Sequence, residues 1–375
     1  MLGDSYCSLI HRGLAVSMTS ESSITIQPCC LMGSKDDNIQ IGVNNLKSDV
    51  FNHPKLTQMR EDNLRGMWRE GCVQCKYSEA AIGKSFRTDS NLRFGRDNKK
   101  NGLVNLYLMI DNACNLACRI CGPNSSTKWQ DILYKSGDLI AKKHARYDHY
   151  LITSFFDGLD LSGLENVMIT GGETLLGSSS KQFVEYLCSR GHIDNIQINF
   201  QTNGTLIPDE RFLDLLSGFK LVKFSISLDG TKDRFEYLRW PAKWDRQVDT
   251  LNRFREKVPP NVMFTVEQTL NPFNLIYKDE IISFVENEFS DNRLGDKTDY
   301  NQHIAAGTYD LRNITDEYVR YLIDNGMERF VPGDHREDPE KIREMLDFTS
   351  RHDVMRQQDW KSVFPDVVPL YSRYL

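Results

Sequence analysis

The sequence has neither a concentrated block of one charge nor a long apolar run. Its 375 residues include 46 Lys and Arg against 52 Asp and Glu, for a formal net charge of −6. Neither sign is gathered into one stretch, which argues against a nucleic-acid partner. No apolar run approaches the roughly 18 residues of a membrane helix, and residues 1–13 lack the features of a secretory signal. We therefore expect a cytoplasmic protein that binds neither nucleic acid nor a membrane.

One cysteine-rich loop lacks the fourth thiol that an iron–sulfur cubane usually takes from its protein. Residues 111–123 read DNACNLACRICGP and place Cys114, Cys118 and Cys121 in a Cys-x3-Cys-x2-Cys spacing. A cluster on these three thiols would leave one iron free to bind a group that is not protein. The chain has nine cysteines, and in a reducing compartment they favour metal or redox chemistry over disulfides.

Short apolar runs alternate with helical patterns from residue 103 onward, which is typical of repeated β-α units in an α/β fold with a parallel sheet. Five runs are clear and a sixth is weak, so we predict a partial (β/α)6 TIM-like barrel. The runs lie at 103–111, 167–173, 196–204, 221–230, 262–271 and, for the sixth, 303–306. The three-cysteine loop follows the first run, at the strand end where such a barrel keeps its chemistry.

Polar or glycine-rich residues also follow the next three strands. They are Gly171, Gly172 and Glu173 after the second strand, Thr202, Asn203 and Gly204 after the third, and Ser227, Asp229 and Gly230 after the fourth. The ends of parallel strands share one rim, so we expect these residues to converge on one ligand beside the three cysteines. The glycines would let that ligand approach the backbone, and the glutamate would face a cationic group.

The first quarter of the chain holds a second group of thiols, namely Cys7, Cys29, Cys30, Cys72 and Cys75. Alternating apolar and polar residues before Cys29 and Cys30 predict a small hairpin. The ends of this hairpin would bring Cys7 close to Cys29 and Cys30. Helical spacing from residue 54 predicts a helix that stops at Gly71.

The chain after residue 308 has a helical pattern, with Asp338 and Pro339 starting one helix. We divide the chain into three parts: a small N-terminal domain with its linker, the barrel, and a helical C-terminal extension. The predicted bounds are 1–100, 101–307 and 308–375.

The order CNLACRIC, TGGE, TNG and SLDG resembles the radical S-adenosylmethionine (SAM) superfamily. The resemblance implies a [4Fe–4S] cluster on Cys114, Cys118 and Cys121, whose open iron binds the amino and carboxylate groups of S-adenosylmethionine. It also implies that Gly171, Gly172 and Glu173 hold the methionine amine. Further candidate cofactor contacts are Asn203 on the same rim, Ser227 and Arg239 toward the ribose and carboxylate, and Gln268 and Asn271 toward the adenosine. One departure is Ile120, where many members carry an aromatic residue; an apolar side chain there can still cover the adenine edge.

The whole chain resembles one subgroup of that superfamily, the radical proteins with a twitch domain, a shortened relative of the SPASM auxiliary-cluster domain. The resemblance implies that this domain precedes the barrel and holds an auxiliary [4Fe–4S] cluster. Its ligands would be Cys7, Cys72, Cys75 and Cys29, with Cys30 as the alternative to Cys29. The opening segment CSLIH lacks the prolines and tryptophan of the subgroup. A structural zinc site at these thiols is the alternative.

The resemblance implies an enzyme that cleaves S-adenosylmethionine to a 5′-deoxyadenosyl radical, with an electron from a flavodoxin- or ferredoxin-type donor. The radical would take hydrogen from a peptide or protein and lead to oxidation, crosslinking or epimerisation, in the last case with Cys30 as a hydrogen donor. The alternative substrate is a sugar-like or nucleoside small molecule, which a dehydrogenase or epimerase would act on. A function of another class is a non-catalytic iron–sulfur or zinc scaffold.

Overall fold

The computed structural model describes ten stretches of the chain. They are residues 5–20, 23–32, 37–42, 49–96, 102–109, 111–137, 155–289, 299–305, 307–333 and 335–375. The described strands are β1 Gly13–Ser20, β2 Ser23–Gln27, β3 Ile39–Gly42, β4 Asn105–Met109, β5 Asn166–Thr170, β6 Gln197–Thr202, β7 Leu221–Ser227, β8 Val262–Leu270 and β9 Asp299–Ile304.

The described α-helices fall into two sets along the chain. Those before the sixth parallel strand are α1 Ser8–Arg12, α2 Pro54–Leu64, α3 Val73–Ile82, α4 Phe86–Phe94, α5 Thr127–Lys135, α6 Ser179–Arg190, α7 Glu210–Leu216, α8 Lys232–Leu238, α9 Trp244–Lys257 and α10 Asp279–Asn287. Those of the C-terminal part are α11 Asp316–Asp324, α12 Pro339–Arg356 and α13 Trp360–Val363. No helix among the described residues is long and apolar enough to cross a membrane.

The strands form one sheet in the order β3-β2-β1-β4-β5-β6-β7-β8-β9. From β4 to β9 every neighbouring pair is parallel, which gives six parallel strands. The predicted α/β fold with a parallel sheet is confirmed, and the open order is consistent with a partial barrel. The sixth strand, β9, begins at Asp299 and so lies earlier in the chain than the predicted run at 303–306.

The two faces of the parallel strands differ in what they touch. Leu106 and Leu108 of β4 are fully buried in the main core. The alternating residues, such as Tyr107 of β4 and Met168 of β5, line a cavity on the opposite face. Because successive side chains on a strand point to opposite faces, this second face, which we call the inner face, carries the polar residues of the strands.

The N-terminal hairpin extends the same sheet. β1 pairs antiparallel with β2, as predicted, and parallel with β4 through Gly13 opposite Asn105. The helix that follows ends at Leu64, before the predicted stop at Gly71, because Gly66 adopts a left-handed φ of 83°. The N-terminal hairpin and the six parallel strands therefore share backbone hydrogen bonds across β1 and β4.

The C-terminal helices form a second core. Trp360, Phe364 and Tyr371 pack with Tyr237 and Leu238 of α8. The predicted helix start is confirmed, because the Asp338 carboxylate accepts hydrogen bonds from the first backbone amides of α12. The C-terminal part thus lies against the segment that follows β7.

Candidate active site

The three-cysteine loop, residues 111–123, is held on both sides by the backbone and by α5. The Ala117 and Arg119 amides donate to the Trp240 and Leu238 carbonyls, each at 2.8 Å. The Trp129 indole of α5 donates to the Cys118 carbonyl at 2.9 Å. These bonds fix the loop between α5 and the chain after α8, so the cysteine positions are set by neighbours far away in sequence.

The three thiols are shielded from solvent. Cys118 is buried, while Cys114 and Cys121 are half-buried. Burial raises the pKa of Cys114 to about 11 and that of Cys118 to about 12, and it also raises the pKa of Cys121. Free thiols here would be protonated at neutral pH and poorly reactive. A metal centre would reverse this, because its ligands are thiolates.

The three thiols are not grouped closely enough to hold a single metal ion together. Within the stretches that the structure describes, no group of three or more His, Cys, Asp or Glu side chains could hold one metal ion. Thiolates around one zinc ion, each ~2.3 Å from it, would lie ~3.8 Å apart. In a cubane each cysteine binds a different iron, so the sulfur atoms stand farther apart.

Gly171 and Gly172 lie directly against the cysteine loop. A Cβ on Gly171 would be 2.1 Å from the Asp111 carbonyl oxygen, and one on Gly172 would be 2.2 Å from that of Ala113. The Gly172 and Glu173 amides donate to these two carbonyls at 2.8 and 2.7 Å. The close backbone approach that we predicted for a ligand is made in the structure by the loop itself.

Glu173 is 1% exposed, and its carboxylate accepts hydrogen bonds from three groups of the protein. It accepts hydrogen bonds from the Thr202 hydroxyl at 2.6 Å, the Asn203 amide at 2.6 Å and the Leu175 amide at 3.0 Å. Burial raises the pKa of Glu173, while these hydrogen bonds lower it. The side chain thus joins the end of β5 to the end of β6, and its predicted contact with the cofactor amine stays a prediction.

Two other predicted rim residues also make protein contacts. The Asn203 side chain donates to Asn115 of the cysteine loop at 2.9 Å. The Ser227 hydroxyl accepts from Gln201 at 2.7 Å. The ends of β6 and β7 therefore lie on the same rim as the loop, as predicted.

Arg239 supplies a buried cation beside the cysteines. Its guanidinium lies 2.8 Å from the Asp229 carboxylate and donates toward the Cys118 sulfur at 3.8 Å. Arg239 is 7% exposed and Asp229 is fully buried. This pair puts a positively charged donor next to a candidate thiolate, which favours its charged form.

Gln268 and Asn271 have local structural partners. Gln268 and its neighbour Glu267 point to opposite faces of β8. The side-chain oxygen of Gln268 accepts hydrogen bonds from the Tyr300 hydroxyl and the Gln302 side-chain amide. The Asn271 side chain accepts from the Phe273 amide at 2.9 Å within a turn. Gln268 thus links β8 to β9, Asn271 stabilises the turn after β8, and their predicted contact with adenosine stays a prediction.

An inner cavity of about 310 Å³ lies against the first half of the parallel strands. Tyr107, Asn199 and Lys223 line it from the sheet, and Cys29 and Cys30 line it from the N-terminal segment. The Cys29 thiol donates a hydrogen bond that lowers the pKa of Cys30. Cys30 therefore faces the cavity on the inner face of the sheet. A hydrogen donor to a bound substrate would need such a position.

A second cavity brings together Cys7, Cys29, Cys72 and Cys75. We call it the N-terminal cysteine site. Cys30 lies instead on the inner cavity, so Cys29 is the member of the pair that faces both spaces. Burial raises the pKa of Cys7 to about 12 and that of Cys72 to about 11.

No sequence motif indicated the contacts between the cysteine loop and α12. Arg119 of the loop forms a buried ion pair with Asp353, 234 positions later in the chain. Arg356 of the same helix lies over the ring of Trp129. An arginine between two cysteines was visible in the sequence, but its distant partner had no local signal.

Comparison with known proteins gives three findings. Residues 109–267 match the family model described as the Radical SAM superfamily. The sporulation killing factor maturation protein SkfB of Bacillus subtilis is 25% identical over 184 residues, which cover 49% of this chain and 39% of SkfB. GTP 3′,8-cyclase 3 of Mycobacterium tuberculosis is 27% identical over 144 residues, which cover 38% of this chain and 35% of the cyclase. The match thus spans less than half the length of either relative.

Among solved structures, the one titled native anSMEcpe with bound AdoMet has 17% sequence identity and a TM-score of 0.40, and the match covers 68% of this chain and 62% of that one. The family match contains the whole cysteine loop and the three strand-end groups at 171–173, 202–204 and 227–230. Residues 109–267 of this chain are a domain of the radical SAM superfamily.

Proposed function

We propose that this protein is a radical SAM enzyme that acts on a substrate held at the inner face of its sheet. A [4Fe–4S] cluster on Cys114, Cys118 and Cys121 would take one electron from a flavodoxin- or ferredoxin-type donor and supply reductive cleavage of S-adenosylmethionine, and the resulting 5′-deoxyadenosyl radical would abstract a substrate hydrogen.

One observation carries this proposal: a three-thiol loop at a strand end, with a buried arginine against its middle cysteine. Arg239 approaches the Cys118 sulfur to 3.8 Å while Asp229 holds it from the other side. Five of the other cysteines belong to the N-terminal segment, and Cys188 lies within α6. The loop therefore supplies three of the four cysteines that a cubane usually takes from its protein. The missing fourth ligand suits a cluster that binds a cofactor.

The chain's own residues would prepare the site in two ways. Gly171 and Gly172 would seat the cysteine loop against β5, since no side chain fits there. Glu173 would fix the adjacent rim through its bonds to Thr202 and Asn203. A rigid rim of this kind lowers the cost of orienting a bound cofactor.

We further propose that the N-terminal cysteine site holds an auxiliary [4Fe–4S] cluster. The shared cavity of Cys7, Cys29, Cys72 and Cys75 supports this ligand set. In this proposal residues 1–100 form a twitch-like auxiliary domain and linker, residues 101–307 the SAM domain and residues 308–375 the helical extension. With four protein ligands such a cluster would accept an electron from the substrate radical, which favours net oxidation. Cys30, if it returns a hydrogen atom instead, would give epimerisation.

A peptide side chain is the substrate we favour. The inner cavity of about 310 Å³ is near the lower limit of ligand pockets, ~300–1,000 Å³, which suits one side chain of a longer chain. The relative named for maturation of sporulation killing factor supports a peptide. The second candidate is a nucleoside-like small molecule, which the polar lining and the relative named for GTP cyclisation support.

The test is anaerobic reconstitution followed by iron and sulfide counting, with 5′-deoxyadenosine measured after reduction by dithionite. We expect about eight irons in the wild type and about four when Cys114, Cys118 and Cys121 are all replaced by Ala. 5′-Deoxyadenosine should form only with the wild type. The matched control Cys188→Ala should keep both the iron and the product.

Two results would contradict the proposal. Iron bound without any 5′-deoxyadenosine would favour a non-catalytic scaffold. One metal ion per chain would favour structural zinc and would remove the auxiliary cluster from the proposal.

A further inference from the structure

The cysteine loop is attached to α12 by a buried ion pair. The Arg119 side chain is 1% exposed, and its guanidinium contacts the Asp353 carboxylate. Asp353 also accepts hydrogen bonds from the Tyr237 hydroxyl at 2.9 Å and from the Trp360 amide at 2.8 Å. Its charge is therefore already used to balance Arg119.

Arg356, the last residue of α12, is a second buried cation at the same place. It is 6% exposed, and none of its three guanidinium nitrogens has a hydrogen-bond partner among the described residues. Its guanidinium lies 4.4 Å from the ring centre of Trp129 and 5.4 Å from that of Trp240. Two aromatic faces surround it, and no carboxylate of the described residues forms an ion pair with it.

Both aromatic residues are parts of the cysteine loop's support. The Trp129 indole donates to the Cys118 carbonyl at 2.9 Å, and the Trp240 carbonyl accepts from the Ala117 amide at 2.8 Å. Arg356 is thus separated from the Cys118 backbone by one ring. Its charge lies close enough to act on whatever charge the thiols carry.

The charges around Arg356 do not balance in the protein alone. Arg119 and Arg356 place two cations between the cysteine loop and α12, and Asp353 places one anion there. Burial, and after it the repulsion from Arg119, lower the pKa of Arg356 to about 10, so the side chain is still charged at neutral pH. Burial and then the same two arginines lower the pKa of His352 to about 4, so His352 is neutral. A buried charge without a partner is costly, and it persists where something else compensates it.

We infer that Arg356 compensates the negative charge of the cluster on the cysteine loop and makes its one-electron reduction easier. This inference rests on the proposed function. Three thiolates give the cluster a negative charge, and the electron from the external donor adds one more. A nearby buried cation stabilises the reduced state more than the oxidised state, because cluster potentials depend on net charge and burial.

The test is a redox titration of the full-length, reconstituted protein, followed by electron paramagnetic resonance of the signal that changes when S-adenosylmethionine is added. At the wild-type midpoint, Arg356→Met should lower the ratio of reduced to oxidised cluster about tenfold, a shift of ~59 mV to more negative potential. Arg356→Lys should stay within about twofold of the wild type. Arg351→Gln removes an exposed charge from the same helix and should change nothing.

A second measurement separates this electrostatic effect from packing. Melting temperatures are compared for Arg356→Met and wild type, each with and without the cluster. We expect the substitution to lower the melting temperature more in the cluster-bound protein than in the cluster-free protein. The α12 dipole also favours a cation at this end, but it acts equally in both forms. If Arg356→Met does not fold, Arg356→Gln serves as the neutral variant.

The outcomes distinguish the inference from the function it rests on. A wild type that binds no iron would overturn the proposed function. A wild type with its cluster, and an Arg356→Met midpoint equal to that of Arg351→Gln, would overturn only the inference. Equal melting losses in both forms would likewise reduce Arg356 to a packing role.

Discussion

The two groups of cysteines lie at opposite ends of the same sheet and are built in different ways. The cysteine loop takes its three thiols from eight consecutive positions, whereas the N-terminal cysteine site takes four thiols from residues 7 to 75. Cys29 shares the inner cavity with Asn105, the first residue of β4. The cysteine loop begins after Met109, the last residue of that strand. The length of β4, ~13 Å from Asn105 to Met109, therefore lies between these two places.

The groups also differ in their surrounding charge. At the cysteine loop, Arg356 has no ion-pair partner among the described residues. Beside the N-terminal cysteine site, Arg87 pairs with Glu79 and Arg69 pairs with Asp37. A site with excess positive charge favours added electrons, and a balanced site does so less. If both proposed clusters are present, the comparison predicts that the charge added on reduction is better compensated at the cysteine loop than at the N-terminal cysteine site.

The largest expected effect comes from removing the space beside the loop. In Gly172→Ala the new Cβ would meet the Ala113 carbonyl oxygen at 2.2 Å and the Asn112 carbonyl carbon at 2.6 Å, both backbone atoms that cannot rotate away. The loop must shift, so we expect loss of about four of the eight irons and of 5′-deoxyadenosine formation. Iron counting and product analysis check this.

The control for that change is Gly122→Ala in the same loop, where nothing lies within 4 Å of the new Cβ. It should keep its iron and its product. Retention of all iron by Gly172→Ala would mean that the loop tolerates a shift and that this end is less rigid than the contacts indicate.

The adjacent cysteines offer a matched pair at the other end. Cys29 lines the N-terminal cysteine site and Cys30 lines the inner cavity. Cys29→Ala should therefore lose up to about four irons, while Cys30→Ala should keep about eight. Iron and sulfide counting of both variants checks this assignment. The opposite result would make Cys30 the ligand and would place Cys29 beside the substrate.

Local pattern was enough to predict the cysteine loop, because its ligands and its strand are contiguous. The same holds for the hairpin of β1 and β2, whose alternation and short turn are both local. The parallel pairing of β1 with β4 was not predictable in this way. Residues 21–104 separate these strands, and a strand's own alternation does not name its partner.

The role of the two glycines shows a second limit of the sequence. Gly171 and Gly172 were expected to allow a ligand to approach closely, since glycine leaves room for another group. Which group approaches depends on the tertiary structure, and here it is the Asp111 and Ala113 backbone. The contact of Arg119 with Asp353 likewise depends on how the C-terminal helices pack. No sequence motif predicts that packing.

The smallest expected effect comes from making the charge around the N-terminal cysteine site more positive, as it is around the cysteine loop. Glu79→Gln removes the carboxylate that pairs with Arg87 and so takes one negative charge away from the surroundings of the N-terminal cysteine site. The auxiliary cluster should then be easier to reduce. At the wild-type midpoint of this cluster we expect the ratio of reduced to oxidised cluster to rise about twofold, less than the tenfold change at Arg356, because the Glu79 side chain is 19% exposed and solvent screens its charge. The same redox titration measures it, and Glu70→Gln is the control for loss of an exposed charge nearby. An unchanged auxiliary midpoint, together with a shifted one in Arg356→Met, would show that only the cofactor-binding end responds to nearby charge.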